Sequence, residues 1–97
     1  MISIRWSSTA ADEFEALIHH ISQDNPEAVL SMAQNVLNRI TQIQTFPNIG
    51  RPGEHPGTRE LVVAPFVVVY WLLTHDDAEI LHVWHGAQNW RQATRTT

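Results

Sequence analysis

The chain has 97 residues, ten of them acidic and six basic, so its net charge is −4. This length fits one domain over 1–97 with a modest core. All six basic residues are arginine, and the excess of acid argues against a protein that binds mainly by neutralising many phosphates. The lack of cysteine excludes disulfides and thiolate chemistry, and no apolar run is long enough for a signal peptide or a membrane helix. We therefore predict a cytoplasmic protein, folded except for a flexible tail over 93–97.

The N-terminal half predicts a strand followed by a pair of helices. Apolar and polar residues alternate over 2–6, which is typical of a half-buried strand. Apolar residues then recur at helical spacing over 9–23 and again over 26–45. Pro26 separates the two helices, because proline disfavours the helical conformation of Asn25 and suits a first helical turn. So short a connection predicts an antiparallel helical hairpin.

A loop over 46–57 joins this half to the next. It holds three prolines and three glycines in twelve residues, a composition that is incompatible with regular structure. The loop either serves only as a linker or presents Arg51 and His55 beside the sheet, since loops often carry binding groups.

Three strands are predicted after the loop, at 58–63, 66–74 and 78–85. The middle strand is apolar at every position over 66–73, so both of its faces need a cover. The helical hairpin can cover one face. The other face would be covered by the C-terminal tail, by a second copy of the chain or by a partner protein.

Three motifs lie in order in the second half of the chain. They are Gly57-Thr58-Arg59-Glu60-Leu61, Val67-Val68-Val69-Tyr70 and Ile80-Leu81-His82-Val83-Trp84-His85-Gly86-Ala87-Gln88-Asn89-Trp90. Following a strand, a helical hairpin and a loop with glycine and arginine, they resemble the RelE/ParE toxins of bacterial type II toxin–antitoxin systems. The resemblance implies an α+β fold, in which an N-terminal strand and an antiparallel helical hairpin pack on a small, mainly antiparallel four-stranded sheet.

The resemblance also implies a function. Members of this family are small toxins held inactive by a cognate antitoxin protein; some cleave mRNA on the ribosome, and others inhibit DNA gyrase. The acidic charge and the absence of lysine favour gyrase or another essential target over mRNA. An inactive member that acts only as a co-repressor with its antitoxin is a further alternative. In each case DNA would be contacted only through the antitoxin, and neither a membrane nor a cofactor would be involved.

Two positions depart from the family pattern. Position 82, commonly arginine in the family, is His82, and position 91, often proline, is Arg91.

A ribonuclease version of the toxin would need cations and a proton-transfer pair. Arg51 and Arg59 could supply the cations, and His82 and His85 the acid and base. Strand alternation places His82 on the face of Ile80 and Trp84, and His85 on the face of Val83, so the two histidines would converge only if the strand ended near Trp84. The structural alternatives are an ion pair of Arg59 with a neighbouring glutamate and a strand-end role for His85. No metal site is expected, because too few ligands converge.

Large apolar rings are the candidates for antitoxin binding. Phe66, Trp71, Trp84 and Trp90 could each bury a large area in a complex, and rings of this kind often dominate binding. For Trp84 and Trp90 the alternative is an ordinary place in the core under the C-terminal tail.

Overall fold

The computed structural model describes residues 1–86. The elements in chain order are β1 (Ser3–Trp6), α1 (Ser8–Asp24), α2 (Pro26–Thr41), a 3-10 turn (Gln42–Gln44), β2 (Arg51–Pro52), β3 (Thr58–Val63), β4 (Phe66–Thr74) and β5 (Asp77–His85). Trp90, Arg91 and the tail predicted over 93–97 lie outside the described residues.

Short polar side chains set the helix boundaries. The Ser7 hydroxyl accepts a hydrogen bond from the Ala10 N–H at 3.0 Å and so caps the start of α1. Asn25 ends α1 by donating its N–H to the Ile21 carbonyl at 2.8 Å, and its side chain accepts from the Ala28 N–H at the start of α2. One residue therefore closes one helix and opens the next, which confirms the predicted hairpin.

The sheet has the strand order β1-β5-β4-β3-β2. Strand β1 pairs in parallel with β5, and the other neighbours are antiparallel. The fold class predicted from the sequence is confirmed, but within residues 1–86 the sheet has five strands and not four. The additional strand, β2, is two residues long and lies in the loop that was predicted to be irregular. The sequence did not predict β2, because proline has no N–H to donate within a sheet, and Pro52 can pair only in an edge strand.

The core lies between the helical hairpin and one face of the sheet. Its buried members are Ala10, Val36, Ile40, Ile43, Leu61, Phe66, Val68, Tyr70, Ala78, Ile80 and Val83. The opposite face, which we call the outer face, carries the alternate residues of β3, β4 and β5. They include Glu60, Val62, Val67, Val69, Trp71, His82 and Trp84. Both helices pack on the core side, so the hairpin covers one face of β4 as predicted.

Tyr70, at the centre of the core, fixes the loop that precedes β2. Its hydroxyl donates to the Pro47 carbonyl at 2.7 Å and accepts from the Gly50 N–H at 3.0 Å. Arg59 adds a second tie, because its Nη1 donates to the Gly50 carbonyl at 2.8 Å. Gly50 is required here, since a Cβ atom would lie 2.9 Å from the Glu60 carbonyl oxygen and 2.9 Å from the Tyr70 ring. The buried tyrosine thereby determines where Arg51 and the edge strand begin.

Burial raises the pKa of the Tyr70 hydroxyl above its ordinary value, although the Gly50 N–H and the Arg59 charge oppose that shift. The unfolded chain therefore loses this proton more readily than the folded protein. Stability from this group is fully present below about pH 10 and is lost as the pH rises above it, by at most about 1.4 kcal/mol per pH unit. The test is the free energy of unfolding measured by urea between neutral pH and strongly alkaline pH.

The chain is well suited to this experiment because Tyr70 is its only tyrosine and it has neither lysine nor cysteine. Tyr70→Phe is the control, and its unfolding free energy should be lower at neutral pH yet independent of pH in the alkaline range. An alkaline loss of stability that persisted in Tyr70→Phe would contradict the assignment.

Candidate functional site

A single carboxylate, that of Glu13 on α1, joins three consecutive residues of β5. Its Oε1 accepts from the Val83 N–H at 3.1 Å, and its Oε2 accepts from the Trp84 Nε1–H at 2.9 Å. His82 Nδ1 lies 3.1 Å from Oε1 and 3.3 Å from Oε2. Because a carboxylate only accepts, Nδ1 carries the hydrogen in this contact. Glu13 is thus bonded to one backbone and two ring N–H groups.

Glu13 occupies this position because β5 is longer than its parallel partner. The pairing with β1 ends at Trp6 and Ile80, and no other strand in the described part of the chain continues along this edge of β5. Ser7 continues the edge by donating its hydroxyl to the Leu81 carbonyl at 3.1 Å. Glu13 then accepts the next free N–H, that of Val83. The start of α1 therefore takes the place of a strand at this edge.

Glu13 was not among the residues predicted from the sequence. The apolar residues of α1 that pack on the core include Ala10, Phe14 and Leu17. Glu13 lies three positions after Ala10 and four before Leu17, so it falls within the apolar stripe of the helix. A carboxylate at such a position is the signal that could have found it.

The two histidines lie on opposite faces of the sheet. His82 stands opposite Val69 on the outer face, where its ring stacks on Trp84 at 4.5 Å between centroids. His85 stands opposite Phe66 on the core side, and its ring meets the Phe66 ring edge-on at 6.2 Å. The predicted divergence of the histidines is therefore confirmed.

One part of the side-chain alternation predicted along β5 was wrong. Val69 pairs with His82 whereas Tyr70 pairs with Ile80, so Leu81 is an extra residue that forms a bulge in β5. The bulge reverses the alternation, and Ile80 lies in the core while His82 does not. The prediction that His82 shares a face with Ile80 fails for this reason.

The two candidate arginines are also separated. Arg51 pairs with Glu60 of the outer face, and its Nε lies 2.9 Å from Glu60 Oε1. Arg59 stands opposite Tyr70, on the core side, and its Nη1 donates to the Gly50 carbonyl at 2.8 Å and to the Asn48 carbonyl at 3.4 Å. The ion pair with a glutamate that was considered for Arg59 is made by Arg51.

The aromatic rings considered for antitoxin binding differ in their exposure to solvent. Phe66 is 1% exposed and belongs to the core, so it cannot offer its ring to a partner. Trp71 is 37% exposed, and its Nε1 donates to Glu79 Oε1 at 2.9 Å. Trp84 is half-buried and held by Glu13, and Trp90 lies outside the described residues.

Three further apolar side chains are exposed, and their exposure was not predicted from the sequence. Leu30 is 79% exposed, and Leu37, seven residues later on the same side of α2, is also exposed. Phe46, just after α2 and its 3-10 turn, is 62% exposed. We call these three residues the α2 ridge. Of these, only Leu37 belongs to the apolar stripe that the helical spacing predicted for the core, and Phe46 falls in the predicted loop.

Within residues 1–86, none of the helices has the length and apolar character needed to cross a bilayer.

Two solved structures resemble this arrangement. The chain superposes on a chain of the chromosomal ParDE toxin–antitoxin system from P. aeruginosa with a TM-score of 0.79 and 27% identity, covering 89% of this chain and 97% of that one. A chain of the toxin–antitoxin complex RelBE2 from Mycobacterium tuberculosis matches with a TM-score of 0.60 and 18% identity, over 87% of this chain and 96% of that one. The fold is therefore that of the RelE/ParE toxins.

Comparison of the sequence with known families identifies the family within this fold. The family model described as the ParE toxin of the type II toxin–antitoxin system parDE matches residues 4–90. The protein Y4kP of Sinorhizobium fredii (strain NGR234), whose name describes it as a candidate toxin, is 33% identical over 91 residues, covering 92% of this chain and 93% of that protein. The chain belongs to the ParE toxin family of type II toxin–antitoxin systems.

The Glu13 contacts make a direct prediction. Glu13→Gln replaces one acceptor oxygen by an NH₂ group, which then faces an N–H donor and cannot bond to it. We expect the free energy of unfolding in urea to fall by about 1–3 kcal/mol. Glu15→Gln, on the exposed side of the same helix, is the matched control and should change it by less than about 0.5 kcal/mol. Equal effects of the two substitutions would contradict the role of Glu13.

Proposed function

We propose that this ParE-family toxin arrests growth by binding DNA gyrase, and that a cognate antitoxin neutralises it. Gyrase inhibition is one of the activities that the family resemblance implies. The observation that carries the choice is the separation of the four residues considered for RNA cleavage. A binding protein needs none of them to meet, whereas a nuclease needs a base, an acid and a cation around one phosphate.

The distances along the sheet support this reading. On the core side, Arg59 stands opposite Tyr70 and His85 opposite Phe66, so they lie four residues, or roughly 13 Å, apart along β4. On the outer face, Arg51 and His82 are separated by β3 and β4, so their backbones lie roughly 14 Å apart. Neither face brings a histidine and an arginine together at one phosphate.

The contacts of these side chains support the same conclusion. The Arg51 guanidinium binds Glu60, and Arg59 binds two loop carbonyls. His82 faces the Glu13 carboxylate through Nδ1. Three of the four candidates therefore make contacts within the fold, while Arg51 and His85 are exposed on the surface.

The gyrase proposal is tested with purified gyrase in a supercoiling assay, together with primer extension on mRNA from induced cells. We expect supercoiling to be inhibited and mRNA to remain intact. His85→Ala should inhibit supercoiling within about twofold of the unaltered chain, whereas loss of a general acid or base would lower activity about 10²–10⁴-fold.

New mRNA cleavage that disappeared in His85→Ala would replace the proposal with the nuclease alternative. Normal growth on induction, with promoter binding by the toxin–antitoxin pair, would replace it with the co-repressor alternative.

We further propose that the antitoxin docks on the helical hairpin through the α2 ridge. The similar structures from P. aeruginosa and M. tuberculosis are described as toxin–antitoxin assemblies, which supports a protein partner. Leu30 and Leu37 lie two helical turns apart on the side of α2 away from the sheet, a spacing that suits the apolar stripe of a partner helix. Full burial of one leucine side chain contributes about 1.5–3 kcal/mol to such a complex.

Leu30→Glu should therefore weaken antitoxin binding by roughly 10–100-fold, measured by calorimetry with the antitoxin encoded beside the toxin. Asn35→Glu introduces the same charge at an exposed position on another side of α2 and is the matched control. Both variants should keep the unfolding free energy of the unaltered chain. If Leu30→Glu left the affinity for the antitoxin unchanged, docking of the antitoxin on the α2 ridge would be contradicted.

A further inference from the structure

A small pocket lies on the core side of the sheet, beside the point where the core ends. Along β4, Tyr70 is fully buried, whereas Leu72, the next residue on the same side, is 38% exposed. The pocket has a volume of about 330 Å³, which is within the usual size of a ligand site. Its lining residues are Asn48, Pro52, Gly57, Thr58, Arg59 and Leu72.

Arg59 gives this pocket a positive charge that no carboxylate of residues 1–86 neutralises. Its two hydrogen bonds both run from Nη1, to the Gly50 carbonyl at 2.8 Å and to the Asn48 carbonyl at 3.4 Å. Within the described residues, its Nε and Nη2 make no hydrogen bond, and Arg59 forms no ion pair. Residues 87–97 contain neither aspartate nor glutamate. The guanidinium is therefore fixed by backbone groups and keeps two donors for a ligand.

These two donors suit a carboxylate. Nε and Nη2 lie on the same edge of the guanidinium, so they can bind both oxygens of one carboxylate at once. The exposed side-chain amide of Asn48 lines the same pocket and offers a third N–H donor. Pro52 and Leu72 add apolar surface against which the methylene groups of an acidic side chain can pack. A nucleic-acid strand would need several cations, and Arg59 is the one cation among these lining residues.

We propose that this pocket accepts an acidic side chain of the antitoxin, whose carboxylate is bound by Arg59 through Nε and Nη2. This inference rests on the proposed docking of the antitoxin on the α2 ridge. Phe46 of the ridge and Asn48 of the pocket belong to one turn, in which the Ile49 N–H donates to the Phe46 carbonyl at 3.0 Å. Two residues span at most roughly 7 Å, so the pocket continues the ridge. An antitoxin segment that leaves the ridge at Phe46 reaches Arg59 within a few residues.

The pairing would make Arg59 a determinant of antitoxin specificity. An antitoxin without an acidic residue at the matching position would cover the guanidinium and leave its two donors unpaired. Removing a charged group from water without a partner is costly, so such an antitoxin would be rejected.

Calorimetry with the antitoxin encoded beside the toxin tests the pocket. Arg59→Gln should weaken binding about tenfold or more, because the carboxylate loses its charged partner. Asn48→Asp should also weaken binding about tenfold, because its new carboxylate competes for Arg59 while the backbone contacts of Arg59 stay in place. Arg5→Gln removes the same charge on the exposed outer side of β1, at the opposite edge of the sheet. As the matched control, it should change the affinity less than about twofold.

A double-mutant cycle identifies the partner of Arg59. Each aspartate and glutamate of the antitoxin is replaced in turn by asparagine or glutamine. One of these substitutions should weaken binding to the unaltered toxin about tenfold, yet weaken binding to Arg59→Gln less than about threefold. If no acidic residue of the antitoxin showed this coupling, the proposal would be overturned.

The same variants separate this proposal from the docking on which it rests. Full affinity in both Arg59→Gln and Asn48→Asp, with weakened binding in Leu30→Glu, would reject the pocket and keep the α2 ridge. Full affinity in all three variants would reject the docking as well. Gyrase inhibition by the two pocket variants should stay within about twofold of the unaltered chain. A loss of inhibition without a loss of antitoxin affinity would assign the pocket to the target and reject the proposal.

Discussion

The apolar character of β4 on both of its faces is the constraint on which this structure depends. Residues 66–70 are buried without a break, so the strand needs one layer against the core side and another against the outer face. The helical hairpin supplies the first layer. On the outer face, Val67 and Val69 are buried as well. Glu60 adds the electrostatic part of that requirement, because it is a buried charge between Val69 and the edge strand.

Different polar side chains satisfy the two edges of the sheet. At one edge β1 is shorter than β5, and Ser7 and Glu13 bind backbone groups of β5 that β1 does not pair. At the other edge β2 is only two residues long, and the Arg51–Glu60 pair reinforces it. Open strand edges recruit other strands, so closing them with charged or short polar groups favours a defined fold over aggregation. Arg51, a catalytic candidate in the sequence, thus stabilises the edge of the sheet through its ion pair with Glu60.

This use of polar residues is consistent with a toxin that acts by occupying a surface. Arginine and histidine are present in the numbers that a small nuclease would need, but the sheet distributes the four candidate residues over two faces, and three of them make contacts within the fold. The surface that is left is acidic overall, with apolar side chains on α2 and at the end of β4. Apolar anchors within a charged surface are what a protein partner recognises. A phosphate backbone would instead require many cations that this chain does not have.

The amino-acid sequence by itself determined the α+β class, the helical hairpin, the three long strands and membership of the toxin family. The class, the hairpin and the strands follow from local periodicity and from proline and glycine at fixed places, which act over a few residues, and the family follows from the resemblance of its motifs. Only the tertiary structure decided the parallel pairing of β1 with β5, the bulge at Leu81 and the role of Glu13. Each of these joins residues that are distant in the chain: Glu13 and Val83 are seventy positions apart. Local patterns carry no information about which strand end remains open or which helix side chain will reach it, because that depends on how the layers pack.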